Sequence, residues 1–374
     1  MAVLPRGIFV WVLAPFIETN DDNLDYYYDF TQSIEEYTSA FTELGIDWKW
    51  QQVTNDNYKA IIDFIIAGSS PSENLVIINL CDGDEINKAP GVNVIRHLKK
   101  SGLCFTGADE YFYRITTSKI SMKEVFEAKN IPTPPWRIIS EENKNAVSIF
   151  ESLGNPVIVK PAISGGSLGV GIHSVVKDAA QLETQYHKLE AGYHGWKLAN
   201  GGVIAEKFID GPEFTTLIVG NASSPKDCKI FLPVERVFNQ SLPSTEKFLS
   251  FDRLWEIYEE ETPLEDEEDF YNYQTPDLSL LESICRLSLD AYRAVRGRGY
   301  CRVDIRMDSA TKKLYVLEVN SQCGLSDDEN FTSIGAILRL SGNSFGSLIV
   351  DIIREAISRK QTGKQNEVRQ LQLI

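Results

Sequence analysis

Continuous apolar runs alternate along the first third of the chain with stretches in which apolar residues recur every three or four positions. Ile8-Phe-Val-Trp-Val-Leu is a run of the kind found in parallel strands covered on both faces. From Asp29 to Leu44, residues Phe30, Ile34, Tyr37, Phe41 and Leu44 keep helical spacing up to Gly45. The same reading predicts a strand over Trp48 to Val53, a helix over Tyr58 to Ala67 and a buried strand over Leu75 to Leu80. A helix over Val92 to Ser101 and a short strand from Cys104 to Gly107 follow. Strands alternating with helices predict an open parallel α/β unit over residues 1–112. Ligands in such sheets sit at the carboxyl ends of strands, which makes Pro15 to Glu18 and Cys81 to Asp84 edge candidates.

Beyond that unit the pattern shortens. Thr117 to Asn130 reads as a helix ending before the rigid connector Pro132-Thr-Pro-Pro-Trp136. A second unit, 113–209, holds the strand Pro156-Val-Ile-Val-Lys160-Pro161, a glycine-rich turn, the strand to Val176, a helix over Ala179 to Glu190 and a strand over Gly202 to Ile209. In the third, 210–374, Phe214 to Gly220 pairs with Lys229 to Pro233. A long amphipathic helix over Leu278 to Arg296 then leads to a hairpin, and Ser344 to Lys360 forms the last helix. The hairpin alternates apolar and polar residues over Arg302 to Met307 and Lys313 to Val319, with Asp308-Ser-Ala-Thr between them. Period two puts Arg302, Asp304 and Arg306 on one strand face and Glu318 and Asn320 on a face of the partner strand. The residues fit a solvated strand pair. They also fit a metal site, because two carboxylates and an amide oxygen are ligands suited to Mg²⁺.

Bulk properties narrow the classes. A length of 374 residues exceeds one ordinary core. With 43% hydrophobic and 24% charged residues the chain reads as soluble and globular, and no apolar run approaches the length of a membrane span. A formal net charge of −16 argues against nucleic acid and anionic membrane as partners. Much of that acidity lies in Glu256 to Asp269, which reads as a solvated loop. The six cysteines are scattered without paired spacing, which fits a reducing cytosol and gives no zinc or disulfide framework.

Two further patterns bear on the hairpin. Ser164-Gly165-Gly166-Ser167-Leu-Gly169-Val-Gly171 follows Lys160 and joins two strands, so it is not the strand-to-helix phosphate loop. Its glycines let backbone N–H groups approach a polyphosphate, with Lys160 as the cation and Ser167 as a hydroxyl donor; a plain hairpin loop has the same look. Glu206-Lys207-Phe208-Ile209 is a strand end whose backbone suits an adenine edge, with Glu213 in reach of ribose hydroxyls.

In order and spacing these patterns resemble the ATP-grasp superfamily, and within it the D-alanine–D-alanine ligase-like ligases. The resemblance spans residues 75 to 360 and is most specific at Val157-Ile-Val-Lys160-Pro, Glu206-Lys-Phe-Ile-Asp-Gly-Pro-Glu213 and Arg302-Val-Asp304…Glu318-Val-Asn320…Gly324. It implies an N-terminal α/β domain, a small central β-rich domain and a C-terminal antiparallel-sheet domain, with ATP clamped between the last two. By position, Lys119 and Lys160 resemble the two lysines that hold the phosphates, under a lid loop from Ser164 to Gly171. Glu206 to Ile209 resembles the adenine strand, and Glu213 the ribose carboxylate. Lys247 is similar to the loop lysine that reaches the γ-phosphate. Asp304, Glu318 and Asn320 resemble ligands of Mg²⁺, for which Mn²⁺ is a substitute. Arg302 and the Gly324 amide resemble the oxyanion stabilisers. The implied activity is ATP-dependent ligation of a small-molecule carboxylate to an amine through an acylphosphate. A cytoplasmic homodimer is the default assembly.

The departures from the family bear on the substrates. Ala14-Pro-Phe-Ile-Glu18 lacks the G-G-x-S-x-E pattern, Gly166 replaces the first of two loop serines, and Phe248 stands where a tyrosine follows the loop lysine. Ser326-Asp-Asp-Glu329-Asn330 replaces the segment with the serine that holds the acceptor carboxylate, and the stretch from Lys247 to Leu278 is longer. These changes predict an amino-acid ligase with unusual partners, making an amide or an imine as the mycosporine-type ligases do. A D-alanine–D-alanine ligase is the alternative, and an inactive ATP-binding regulator is another. The acidic 256–269 stretch, placed just after Lys247, is expected to form part of the lid.

Overall fold

The computed structural model describes residues 4–17, 29–70, 74–264 and 269–371, the last eight by backbone alone. Glu18, one of the edge candidates, lies outside them. Three sheets carry the chain. The first is parallel throughout, in the order β2-β1-β3-β4, with β1 at Ile8–Pro15, β2 at Asp47–Val53, β3 at Asn74–Asn79 and β4 at Cys104–Phe105. Its apolar runs are continuous because both faces are covered. Val10, Val12, Val76 and Ile78 pack with Tyr37 and Phe41 of helix Thr31–Leu44 and with the C-terminal helices Ser333–Ser341 and Phe345–Leu371. The alternate residues Leu13 and Ile77 pack with Ile62, Ile65, Val94 and Leu98 on the other side.

A second, antiparallel sheet has the order β5-β8-β6-β7, with β5 at Trp136–Ile139, β6 at Val157–Pro161, β7 at Val175–Val176 and β8 at Val203–Lys207. Val157, Val159, Val203 and Ala205 face helix Ala179–Ala191 through Leu182 and Leu189. Period two therefore turns Lys160 and Glu206 to the opposite face. The third sheet runs β12-β11-β9-β13-β14, with β10 also on β9. Here β9 is Glu213–Asn221, β10 Lys229–Ile230, β11 Val234–Phe238, β12 Tyr271–Gln274, β13 Arg298–Met307 and β14 Leu314–Asn320. One face holds Phe214, Ile218, Val303 and Ile305 against Ile284 and Tyr292 of helix Leu281–Ala294 and Met122 and Phe126 of helix Lys119–Ala128.

Several boundaries differ from the sequence reading. The helix expected from Thr117 to Asn130 is the second of two, Glu110–Thr117 and Lys119–Ala128, which Ser118 separates. Ser118 takes an extended conformation and its hydroxyl accepts from the Ser121 amide, which starts a new helix there. Strands β11 and β12 and helix Ser333–Ser341 were absent from the pattern. No single helix among the described residues is long and apolar enough to cross a membrane.

The first sheet meets the third through Gln322, which accepts from the Ala108 amide at 3.0 Å and donates to the Asn79 carbonyl. Gly299, at φ +83°, sits in the same junction, where an added Cβ would lie 2.3 Å from the Gly107 carbonyl oxygen. Gly299→Ala combines a left-handed backbone with a clash against main chain. We expect a loss upward of about 2 kcal/mol in denaturant unfolding; an unchanged midpoint would mean that the junction yields freely.

Candidate active site

The hairpin register brings the expected faces together. Arg302 stands opposite Asn320 and Asp304 opposite Glu318, with a bulge between Asp304 and Ile305. Directly opposed residues share a face, so all four side chains converge. Arg302 grips Asp304 in bidentate fashion, Nε at 3.0 and 3.1 Å and Nη2 at 2.9 Å. Thr215, paired with Asp304 from β9, donates its hydroxyl at 2.7 Å, and Asn320 donates from Nδ2 at 2.9 Å. Burial pushes the Asp304 carboxyl up, but Arg302 outweighs it and holds the group below its ordinary value. Asn320 also reaches Glu318 at 3.3 Å.

Two oxygen-donor carboxylates beside an amide fit Mg²⁺ in kind but not in number. Among the described residues no three His, Cys, Asp or Glu side chains gather into a metal cluster. The remaining ligands would have to be phosphate and water, as is usual for this ion. The Asn320 amide now shows its nitrogen to the carboxylates; a half-turn presents its oxygen.

A cationic wall stands across from this face. Lys119, at the first position of helix Lys119–Ala128, lies 3.8 Å from Glu318 and 3.3 Å from the Ser164 carbonyl. It therefore ties the hairpin to the start of the glycine-rich loop. Lys160, from β6, lies 3.1 Å from Glu206 Oε1, and Lys123, one helical turn after Lys119, lies 3.2 Å from the same oxygen. Lys123 is fully buried and also donates to Thr133 at 2.8 Å. Burial lowers the Lys123 ammonium to about 8 against the pull of Glu206. For Glu206 burial acts upward, and the two lysines outweigh it and hold the carboxyl low. Lys123 escaped the motif reading, although its signal was available: a second lysine four residues on, beside the buried Met122 and Phe126.

The glycine-rich loop covers this wall. Gly166 and Ser167 take positive φ, and Gly169, at φ +78°, leaves room for Pro161 and Leu198, which a Cβ would approach to 2.8 and 2.9 Å. Lys247 follows a short turn at Ser244–Glu246, and its carbonyl accepts from Arg306. Phe248 is buried, with its ring centroid 6.1 Å from that of Phe208.

Glu206 to Glu213 is more committed to the protein than the sequence suggested. The Lys207 and Phe208 amides donate to the Pro135 and Pro156 carbonyls at 2.8 and 3.1 Å. The Lys207 ammonium lies 3.7 Å from Asp308, and Ile209 is buried. Glu213 is paired with Arg236 and lies 3.8 Å from Arg306. Neither arginine belonged to the expected site, and each is explained by register: Arg236 and Arg306 are the cross-strand neighbours of Glu213 on β11 and β13. Arg306 continues the face of Arg302 and Asp304, but it serves Glu213, Gly211 and Lys247 and not the hairpin cluster.

Beyond the hairpin, Gly324 is exposed, with nothing within 4 Å of a built Cβ. In the acidic segment that follows, Ser326 donates to Glu36 at 2.7 Å, Asp328 accepts the Asn330 and Phe331 amides, and Glu329 lies 3.7 Å from Arg339. Asp328 thus serves the local turn and Glu329 lies beside a helix arginine. Asp82, at the carboxyl end of the first sheet, is half-buried.

Three sheets in this arrangement are the ATP-grasp fold, and solved structures of that fold superimpose along nearly the full chain. The D-alanine–D-alanine ligase from Bacillus anthracis complexed with ATP matches with a TM-score of 0.66 at 16% identity, covering 95% of this chain and 99% of that one. The D-alanine–D-alanine ligase from Coxiella burnetii matches with 0.68 at 15%, covering 98% and 100%. In sequence, the D-alanine–D-alanine ligase of Marinobacter nauticus is 30% identical over 70% of this chain and 69% of its own length. That of Acidovorax ebreus is 28% identical over 69% of each. The family described as D-ala D-ala ligase C-terminus matches residues 125–354, more than half of the chain. The chain belongs to this family and is an ATP-dependent carboxylate–amine ligase that forms a C–N bond and ADP.

Asp82 gives this side of the site a pH signature. Burial pushes its carboxyl from 3.8 up to about 6. The folded protein thus keeps the proton to higher pH than the unfolded chain, and stability is lost as pH rises through that interval. Asp82→Asn should raise Tm near neutral pH by a few °C, on the order of 2–4 °C per kcal/mol relieved. At a pH below 3.8 it should leave Tm unchanged. Equal effects at both pH values, read by scanning calorimetry, would rule out the buried charge as the cause.

Proposed function

We propose that this chain joins two amino acids at the expense of ATP, with D-alanine as the pair its relatives favour. The carboxylate of one substrate is activated as an acylphosphate and then attacked by the amine of the other. All the curated relatives described above carry the name D-alanine–D-alanine ligase. That supports D-alanine over the unusual partners expected from Gly166, Phe248 and the 326–330 segment. The observation that carries the reading is one continuous arc of side chains, from Arg302 through Asp304, Asn320 and Glu318 to Lys119 and Ser164.

In this reading Asp304, Glu318 and Asn320 hold Mg²⁺. An ion held there would supply charge neutralisation to a phosphate group bound beside it. Lys119 and Lys160 fix the phosphates beneath Ser164 to Gly169, and Lys247 enters from the loop that Arg306 anchors. Glu206 to Ile209 meets the base, and the lone pairs of Glu213 left by its arginines meet the ribose. Arg302 and the exposed Gly324 amide face the developing oxyanion, where fixed donors act most strongly in a water-poor cleft. The protein's contribution is placement and exclusion of water rather than covalent chemistry.

Asp82 favours a second reading, a different amino acid in one position. Its carboxyl is pushed up by burial at the carboxyl end of the first sheet, where ligands of such sheets sit, and a substrate ammonium or cationic side chain would be a fitting counter-charge.

Measurement of ADP release on a panel of D- and L-amino acids separates these readings. We expect release that needs both Mg²⁺ and an amino acid, strongest with D-alanine in the first reading and with a cationic amino acid in the second. Glu318→Ala should cut turnover at least ~100-fold with the fold intact, on the scale of losing one charge-stabilising ligand. Full turnover in that variant would sink the metal assignment, and ADP release that no amino acid stimulates would sink the ligase reading of this site.

A further inference from the structure

The segment after Lys247 leaves the sheet that carries it and packs into the core of the second sheet. Phe251 is buried among Leu168, Leu182 and Leu198, and its ring centroid lies 5.4 Å from that of Tyr193. Its amide donates to the Val170 carbonyl at 2.8 Å. Trp255 donates from Nε1 to the Gly166 carbonyl at 2.8 Å. Glu261 comes next in this grip, although it stands in the acidic stretch that reads as solvated. It is only 4% exposed. Its Oε1 accepts the Ile172 amide at 3.0 Å, and its Oε2 accepts the Ser250 hydroxyl at 2.6 Å with Arg253 Nε 3.4 Å away. Asp252 closes the turn by accepting the Glu260 and Glu261 amides at 2.6 and 3.0 Å.

These contacts fall on the glycine-rich loop at Gly166, Val170 and Ile172. At its other end the loop is held by Lys119 at Ser164, and the root of the Lys247 segment is held by Arg306. Two mobile kinds of sequence, a glycine-rich turn and an acidic loop, are thereby fixed to each other above the lysine wall. A carboxylate suits the task because it can accept from the loop amide and from its own segment at once, with Arg253 offsetting its charge.

We propose that Glu261 and Trp255 are positioning residues that latch the 248–261 segment onto the glycine-rich loop, holding both over the nucleotide phosphates and keeping water out. The inference rests on the nucleotide reading of the site given above. It assigns closure in this chain to a carboxylate and an indole at the far end of the loop. The expected effect follows from what a closed lid does: it tightens nucleotide binding and keeps the activated carboxylate from hydrolysis.

Glu261→Ala should weaken binding of Mg²⁺–ATP about tenfold in calorimetry and speed tryptic cleavage at Arg253 about tenfold. It should also raise ADP formation relative to amide product, which loss of folding alone would not do. Glu261→Gln keeps one acceptor oxygen and should recover part of each effect. Trp255→Phe keeps an aromatic ring in place, removes the Gly166 bond, and keeps the test open if Glu261→Ala fails to fold. ATP affinity, coupling and cleavage rate all within twofold of the unmodified protein would overturn the latch. Absence of ATP binding in the unmodified protein would instead count against the nucleotide reading. The cleavage rates without nucleotide would still decide the latch: faster at Arg253 in the variants supports it, and equal rates remove it.

Discussion

Lys119 is the side chain on which the arrangement of the site turns. Its ammonium reaches Glu318 on the hairpin and Ser164 at the mouth of the glycine-rich loop, so it belongs to two sheets at once. It can do so because its helix is shared. Met122 and Phe126 of that helix sit in the core beneath the hairpin, while Ile120 packs with Trp136, Ala162 and Ile204 of the second sheet. Ser118 sets the register by ending one helix and capping the next, which puts Lys119 and Lys123 one turn apart toward the second sheet.

Charge balance explains why such a wall persists in a protein with a net charge of −16. Three lysines, Lys119, Lys123 and Lys160, face two carboxylates, Glu206 and Glu318, and Arg302 and Asp304 cancel each other. The local surplus is positive and partly desolvated, as the lowered Lys119 and Lys123 ammonium groups record. Burying unbalanced cations costs stability, and an anionic ligand offsets that cost on arrival. In the proposed reading that anion is a polyphosphate, which can meet Lys119 and Lys160 on two different elements at once. The same logic gives Glu206 a structural duty: it keeps Lys123 and Lys160 from repelling each other before any ligand arrives.

What could be read in the sequence, and what could not, divides along the range of the interactions. Period-two alternation was enough to put Arg302 with Asp304, and Glu318 with Asn320, on common faces, because that property is local to each strand. The convergence of the two faces depended on register, which the turn at Asp308 to Lys313 and the bulge after Asp304 supply. Arg236 and Arg306 were invisible as partners of Glu213, since no local pattern says which strands will lie side by side. Glu261 was misleading for a different reason. It stands in a run of acidic residues whose composition reads as solvated, yet it finds Ile172, Ser250 and Arg253 around it. Substrate identity was the least legible, because the 326–330 segment shows in the sequence only as a departure from the family, whereas in the structure Asp328 accepts amides of its own turn and Glu329 lies beside Arg339.

The hairpin and the latch pose opposite demands on the same loop. Arg302 and Asp304 are held by paired hydrogen bonds on rigid strands, so the reacting end needs no rearrangement. Trp255, Glu261 and Lys119 hold the glycine-rich turn, which in the proposed reading is the phosphate end and would open for a nucleotide to enter and leave. Each of these holds the loop through one or two hydrogen bonds, worth about 1 kcal/mol net for the indole and about 1.5–3 kcal/mol for the charged groups, few enough to be broken and remade. A tighter clasp would slow release of ADP, and a looser one would admit water to the activated carboxylate. The insertion of Phe251 into the second sheet's core sets the balance, since it keeps the segment nearby when the polar contacts break.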